Sequence, residues 1–220
     1  MKRAAQLGLL AVLILRGGEM FGQETPSSAP GTTPAKLSTK NPWAYNLTVD
    51  GYIVPNHESF VNPVFMANRN WLHLESRYNS ENLRTGSLWA GYNFSAGKKV
   101  LLNVTPMIGG VFGRTTGIAP GLEASLTYKK VGLSISNEYV FDTTHKSGNF
   151  YDAWLDLTYS PVDWFRIGAV AQRTAAFQTA VDVQRGLLLG VSHKKWELTT
   201  YIFNLGIADP TVVLEVGVNF

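Results

Sequence analysis

The feature that most constrains this chain is the side-chain rhythm of its last ten residues, TVVLEVGVNF. Successive side chains on an extended backbone point to opposite faces. Val212, Leu214, Val216, Val218 and Phe220 therefore share one face, and Val213, Glu215, Gly217 and Asn219 the other. One face is apolar through to the final aromatic. The other is small or polar and carries a carboxylate.

The same period of two runs from Trp43 onward. Twelve strand-like runs follow one another: 43–54, 58–67, 71–79, 85–96, 98–112, 118–129, 131–142, 149–160, 163–174, 184–193, 195–206 and 210–220. No helical pattern of several turns interrupts them. Four runs show a plainly apolar face: Leu88, Ala90, Tyr92 and Phe94; Tyr151, Ala153, Leu155, Leu157 and Tyr159; Phe165, Ile167, Ala169 and Ala171; and Leu187, Leu189 and Val191. Opposite them stand Asn93, Asp152, Asp156, Arg166, Gln172 and Ser192.

No run of about 18 or more apolar residues exists, which excludes a transmembrane helix. A membrane β-barrel needs no such run, because alternation dilutes its apolar signal, and each run here is long enough for the roughly 9–11 tilted residues of a membrane strand. Charged residues make up only 16% of the chain and aromatics 12%, a balance low in charge for a water-facing surface. With no Cys, disulfides, cysteine acylation and thiolate metal sites are ruled out.

The connections alternate in length. Tight ones fall at Asn68–Asn70, Ser95–Gly97, Lys129–Lys130, Ser160–Asp163 and Lys194–Lys195. Longer ones fall between them, at Ser80–Arg84, Gly113–Gly117, Thr143–Gly148 and Ala175–Val183. Short periplasmic turns and longer extracellular loops are the habit of outer-membrane barrels, and a soluble sandwich has no reason to keep it. Aromatics bunch at both strand ends: Tyr45, Trp71, Phe94, Tyr128, Tyr159, Trp164, Trp196 and Phe220 near tight turns or a terminus, Tyr52, Tyr78, Phe112, Tyr139, Phe141 and Phe150 at the opposite ends. Amphipathic rings favour the headgroup level, which gives a girdle at each interface. The lysine pairs at three tight turns, Lys98–Lys99, Lys129–Lys130 and Lys194–Lys195, suit either anionic headgroups or simple turn solubility.

Taken together, residues 43–220 resemble Gram-negative bacterial outer-membrane β-barrels of the porin-like class, with the terminal strand ending in Phe220 resembling their closing strand. The resemblance implies an all-β, antiparallel transmembrane barrel of about twelve strands in the cell outer membrane. It also implies that Phe220 belongs to a C-terminal assembly signal for the barrel-assembly machinery, and that outer-membrane lipid surrounds the wall.

Residues 1–22 read as a signal peptide: Lys2 and Arg3 precede the apolar stretch Ala4–Leu15. Its removal takes away three bases and one acid, bringing the net charge from +3 to +1, so the basic composition gives no case for nucleic-acid binding. Residues 23–42 are rich in Pro, Ser and Thr and read as a disordered periplasmic leader.

If the apolar faces meet lipid, the lumen receives Glu75, Arg77, Glu123, Glu138, Asp152, Asp156, Arg166, Glu197 and Glu215, seven acids and two bases. Such charges either line a water path or pair across it. The first gives a porin-like channel for passive passage of small hydrophilic solutes. The second gives a closed structural or surface-interaction barrel. A third reading rests on His145-Lys146-Ser147-Gly148, which looks like the His-x-Ser-x-Gly spacing of outer-membrane phospholipase A. The position of that family's orienting Asn is Tyr159 here, and the segment falls in a loop, so the expectation is no enzyme. His57 and His73 show no metal-ligand spacing, and no metal or cofactor is expected. Gly109-Gly110 inside a strand reads as a bend or a small lumen position.

Overall fold

The computed structural model describes residues 43–145, 148–176 and 182–220. The expected signal peptide and leader lie outside them. The described residues form β1 (Ala44–Ile53), β2 (Phe60–Arg69), β3 (Leu72–Tyr78), β4 (Thr85–Tyr92), β5 (Phe94–Ala96), β6 (Val100–Gly113), β7 (Gly117–Tyr128), β8 (Val131–Asp142), β9 (Phe150–Val162), β10 (Phe165–Arg173), β11 (Gln184–His193), β12 (Trp196–Phe203) and β13 (Thr211–Asn219). Every pairing is antiparallel between neighbours in sequence, except that β1 pairs with β13 and β4 with β6. Those pairings leave no edge, so the sheet closes into a barrel.

Segments β4 and β5 are one barrel strand. Gly91 pairs with Met107 and Phe94 with Val104, which is a single uninterrupted register along β6. That register places Tyr92 opposite Pro106, a residue with no N–H to donate, and the ladder lapses there. The barrel therefore has twelve strands, matching the twelve runs of the sequence. A further irregularity is a bulge between β9 and β10, at Phe165/Ile167 and close to Pro161.

Alternation sets the two surfaces. Leu88, Tyr92, Phe94, Tyr151, Leu155, Leu157, Tyr159, Ile167, Leu187, Leu189, Val191, Leu214, Val216 and Phe220 are exposed large apolar side chains on the outer wall. Asn93, Asp152, Asp156, Arg166 and Gln172 are buried inside. The faces read from the four apolar runs and the last strand are those the barrel adopts.

The tight turns are as short as two residues. Asn70, Lys129 and Lys194 open three of them at φ of 54°, 54° and 56°, a left-handed conformation that costs an L-residue about 1–2 kcal/mol. Lys130 donates from Nζ to the carbonyl of Pro161 in the neighbouring turn, so part of the lysine density at this end ties turns together.

Two expected girdle residues face inward instead. Tyr52 is 8% exposed and stacks on Phe60 at 4.6 Å, inside an apolar cluster with Val170, Leu188, Tyr201, Phe203 and Val213. Phe150 packs against a second cluster of Trp89, Met107, Val111, Ala119 and Val140. Both clusters sit within the loop end of the lumen. Period two determines their direction: Tyr52 follows Asn46, Thr48 and Asp50 on the inner face, and Phe150 precedes Asp152.

Candidate functional site: the barrel lumen

A cavity of about 240 Å³ runs along the barrel interior. Its wall includes Asn46, Asn103 and Ser125 towards the tight turns and Ser80, Gln172 and Thr174 towards the loops. Between them lie all nine expected lumen residues: Glu75, Arg77, Glu123, Glu138, Asp152, Asp156, Arg166, Glu197 and Glu215. Strands β3, β7, β8, β9, β10, β12 and β13 thus bring their charges to one space.

The charges divide into two networks, each built on one arginine. On β3, Arg77 lies 2.7 Å from Glu75 of its own strand and reaches 2.6 Å to Glu138 on β8. Glu123 on β7 lies 3.7 Å away and Glu81, in the following loop, 3.9 Å. The guanidinium also lies over the Trp89 ring at 4.6 Å, a favourable cation–π placement. Beside it, His73 presents one ring nitrogen to Asn68 at 2.9 Å and the other to Glu75 at 3.1 Å. The planar five-donor fork of Arg allows one side chain to serve several carboxylates, which a lysine point charge does less well.

The second network centres on Arg166 of β10. It lies 3.2 Å from Glu197, 3.5 Å from Glu215, and donates to the Thr199 hydroxyl. Tyr201 donates to Glu215 at 3.1 Å and Asn219 to Glu197 at 3.1 Å. Gly190 faces this arginine: a Cβ there would come within 2.5 Å of its Nε. In the same way Gly109 leaves room for Trp89, whose ring atoms would lie 2.4–2.7 Å from a Cβ. Gly109 is therefore a small lumen position, while Gly110 faces open space.

Sequence reasoning missed two lumen acids. Asp50 lies on β1 opposite the apolar face of Leu47, Val49 and Ile53, so the period of two was the signal that places it in the lumen. Glu81 is fully buried although it belongs to a connection; Ser87 donates to it at 2.5 Å and the Trp89 indole N–H at 3.2 Å. Counting them, nine carboxylates stand with three guanidinium groups, those of Arg77, Arg166 and the more exposed Arg173, among the described lumen residues. Ligand atoms of His73, Glu75 and Glu123 lie within 4.8 Å of one another, a spacing that suits a metal ion. The Arg77 guanidinium already occupies the positive position in that group. In the loop after β8, His145 is described and Lys146 and Ser147 lie outside the described residues, so the hydrolase-like spacing has no geometry here.

No protein-family model matches the chain, and no curated protein does. Among solved structures it is similar to a KdgM porin, with a TM-score of 0.52 and 12% identity, over 80% of this chain and 98% of that one. A KdgM porin in complex with disordered oligogalacturonate gives a TM-score of 0.52 at 11% identity over the same shares. At that identity the likeness concerns the fold. The chain is a closed twelve-strand antiparallel barrel of the kind that porins of the outer membrane adopt.

Proposed function

We propose that this barrel is a narrow, cation-preferring outer-membrane channel for passive passage of small hydrophilic solutes. The observation that carries the reading is the polar cavity reaching from turn-end to loop-end residues, walled by an excess of carboxylates. A hydrated path with low-dielectric walls focuses the field of such charges and raises the local concentration of cations. The oligogalacturonate bound by one similar porin is a polyanion by its chemistry. The same ligand would meet repulsion in this lumen, so it is not carried over.

The C-terminal strand, apolar on its outer face up to Phe220, supports recognition by the assembly machinery and insertion among outer-membrane lipids. A second reading has its own support: the two arginine networks and the two apolar clusters at the loop end would also suit a sealed, structural barrel. Planar-bilayer recording with a potassium chloride gradient separates the two. A reversal potential displaced towards that of potassium supports the channel. A correctly folded barrel that passes no current establishes the sealed alternative.

A further inference from the structure

Two pairs of carboxylates stand directly opposite each other on neighbouring strands of the lumen wall. Glu138 is the register partner of Asp152 across β8 and β9, and Asp50 is the partner of Glu215 across β1 and β13. Like charges directly opposite destabilise an antiparallel sheet, so each pair calls for a counter-charge. One member of each pair has it: Arg77 lies 2.6 Å from Glu138, and Arg166 lies 3.5 Å from Glu215.

The other member forms no ion pair among the described residues, although Arg173, itself 3.6 Å from Asp182, lies within electrostatic range of Asp152. Asp152 is only 9% exposed; its Oδ1 accepts the Ala175 N–H at 2.7 Å, and its Oδ2 has no hydrogen-bond partner. Asp50 accepts a long 3.4 Å bond from Asn62 on Oδ2, and its buried Oδ1 has none. Both line the cavity, and both lie within electrostatic range of the Tyr52 hydroxyl. A buried carboxylate oxygen without a donor is costly, and two of them facing one cavity mark a place for a ligand that supplies donors and positive charge.

We propose that this cavity binds an organic cation carrying primary ammonium groups, a short diamine fitting best, with its ammonium groups on Asp50 and Asp152. Each ammonium brings three donors and one positive charge, the two things the unmatched acids lack. Trp154 and Tyr201, packed edge-to-face at 5.0 Å, line the same cavity, and aromatic faces attract alkylammonium groups. A hard divalent metal instead needs about six oxygens close around it, and aromatic carbon does not provide them. The inference rests on the reading of the lumen as cation-preferring and narrows its solute class to amines.

The test is calorimetry on the full barrel folded in detergent, titrated with 1,4-diaminobutane, with butylamine and with magnesium chloride. The expected result is binding of the diamine that weakens at least about tenfold in the Asp50→Asn/Asp152→Asn double variant, with butylamine weaker than the diamine by a similar factor. Heat-modifiable gel migration establishes that the variant is folded, which the removal of like charges favours. Undiminished diamine binding in the folded variant overturns the proposal. So does absence of binding to the native barrel, or magnesium binding tighter than the diamine. Calorimetry needs no current, so a barrel that conducts nothing in bilayers yet binds the diamine refutes the channel and keeps the site.

Discussion

Tyr45 and Phe220 exchange two backbone hydrogen bonds, 2.8 Å and 2.9 Å long, and stack their rings at a centroid distance of 5.8 Å. This pair ends the β1–β13 seam, where the first and last strands of the barrel meet. The main-chain bonds persist with any side chain, whereas the ring contact depends on the aromatic. Phe220→Ala should therefore leave the register intact and remove a contact worth about 0.5–1.5 kcal/mol. The expected outcome is a lower urea midpoint for the folded band on heat-modifiable gels, with Phe220→Tyr close to native.

Leu155 and Asp156 are adjacent in β9 and face opposite media. Leu155 is 38% exposed on the outer wall; Asp156 is 6% exposed and accepts the Trp154 indole N–H at 2.9 Å. An arginine at position 155 would sit on the lipid face in mid-strand and should cost about 2–4 kcal/mol near the bilayer midplane. Asp156→Asn keeps an acceptor for Trp154 and removes one charge from an acidic lumen. Folding yield into lipid vesicles should fall sharply for the first and stay near native for the second. Equal yields would mean that the inner and outer faces of β9 are assigned the wrong way round.

Gly109 and Gly110 form a second adjacent pair with opposite roles. A Cβ at Gly109 would lie 2.4 Å from the Trp89 ring, whereas nothing lies within 4 Å of one at Gly110. Gly109→Ala should destabilise the barrel by roughly 1–3 kcal/mol through overpacking, and Gly110→Ala should be neutral or slightly favourable. Adding Trp89→Leu to Gly109→Ala should recover part of the loss, which the denaturation midpoints of the four proteins would report.

The strand phases were legible because an apolar outer wall and a polar lumen leave period two little ambiguity. That reading placed Leu155, Asp156 and Glu215 correctly from the residue string. It failed where one residue type serves two environments. An aromatic near a strand end fits an interfacial girdle or a lumen plug, so Tyr52 and Phe150 went to the wrong surface. Glu81 carries no periodic signal at all, since a loop folds it inward beneath Ser87 and Trp89. Nor does sequence reveal that Arg77 meets Glu138, 61 positions away, because that depends on barrel curvature as well as register.

The loop-length alternation predicts which end faces outward. Native Cys is absent, so single cysteines report without background. Thr144 lies in the long β8–β9 connection and is exposed, and Lys130 lies in the tight β7–β8 turn and is exposed. On whole cells, Thr144→Cys should label with an impermeant maleimide and Lys130→Cys should label only after the outer membrane is opened. The reverse pattern would turn the barrel over and place the tight turns outside.

Selectivity is the property most directly tied to the lumen charges. Glu123 has a side chain 20% exposed to the cavity and lies 3.7 Å from Arg77, the loosest contact of that network apart from Glu81. Glu138, by contrast, holds Arg77 at 2.6 Å, and its neutralisation would disturb the network as well as the field. Glu123→Gln should therefore lower the cation preference while leaving the fold intact, read as a smaller reversal potential under the same potassium chloride gradient. The proposed cation preference should weaken as salt rises, because the screening length falls from about 30 Å at 0.01 M to about 3 Å at 1 M. Asp50→Asn should act in the same direction, since its buried Oδ1 has no hydrogen-bond partner among the described residues. An anion-selective native current, or a preference unmoved by both substitutions, would mean that the constriction lies away from these acids. The exposed Arg173, paired with Asp182 at 3.6 Å at the loop end, would then be the next residue to neutralise.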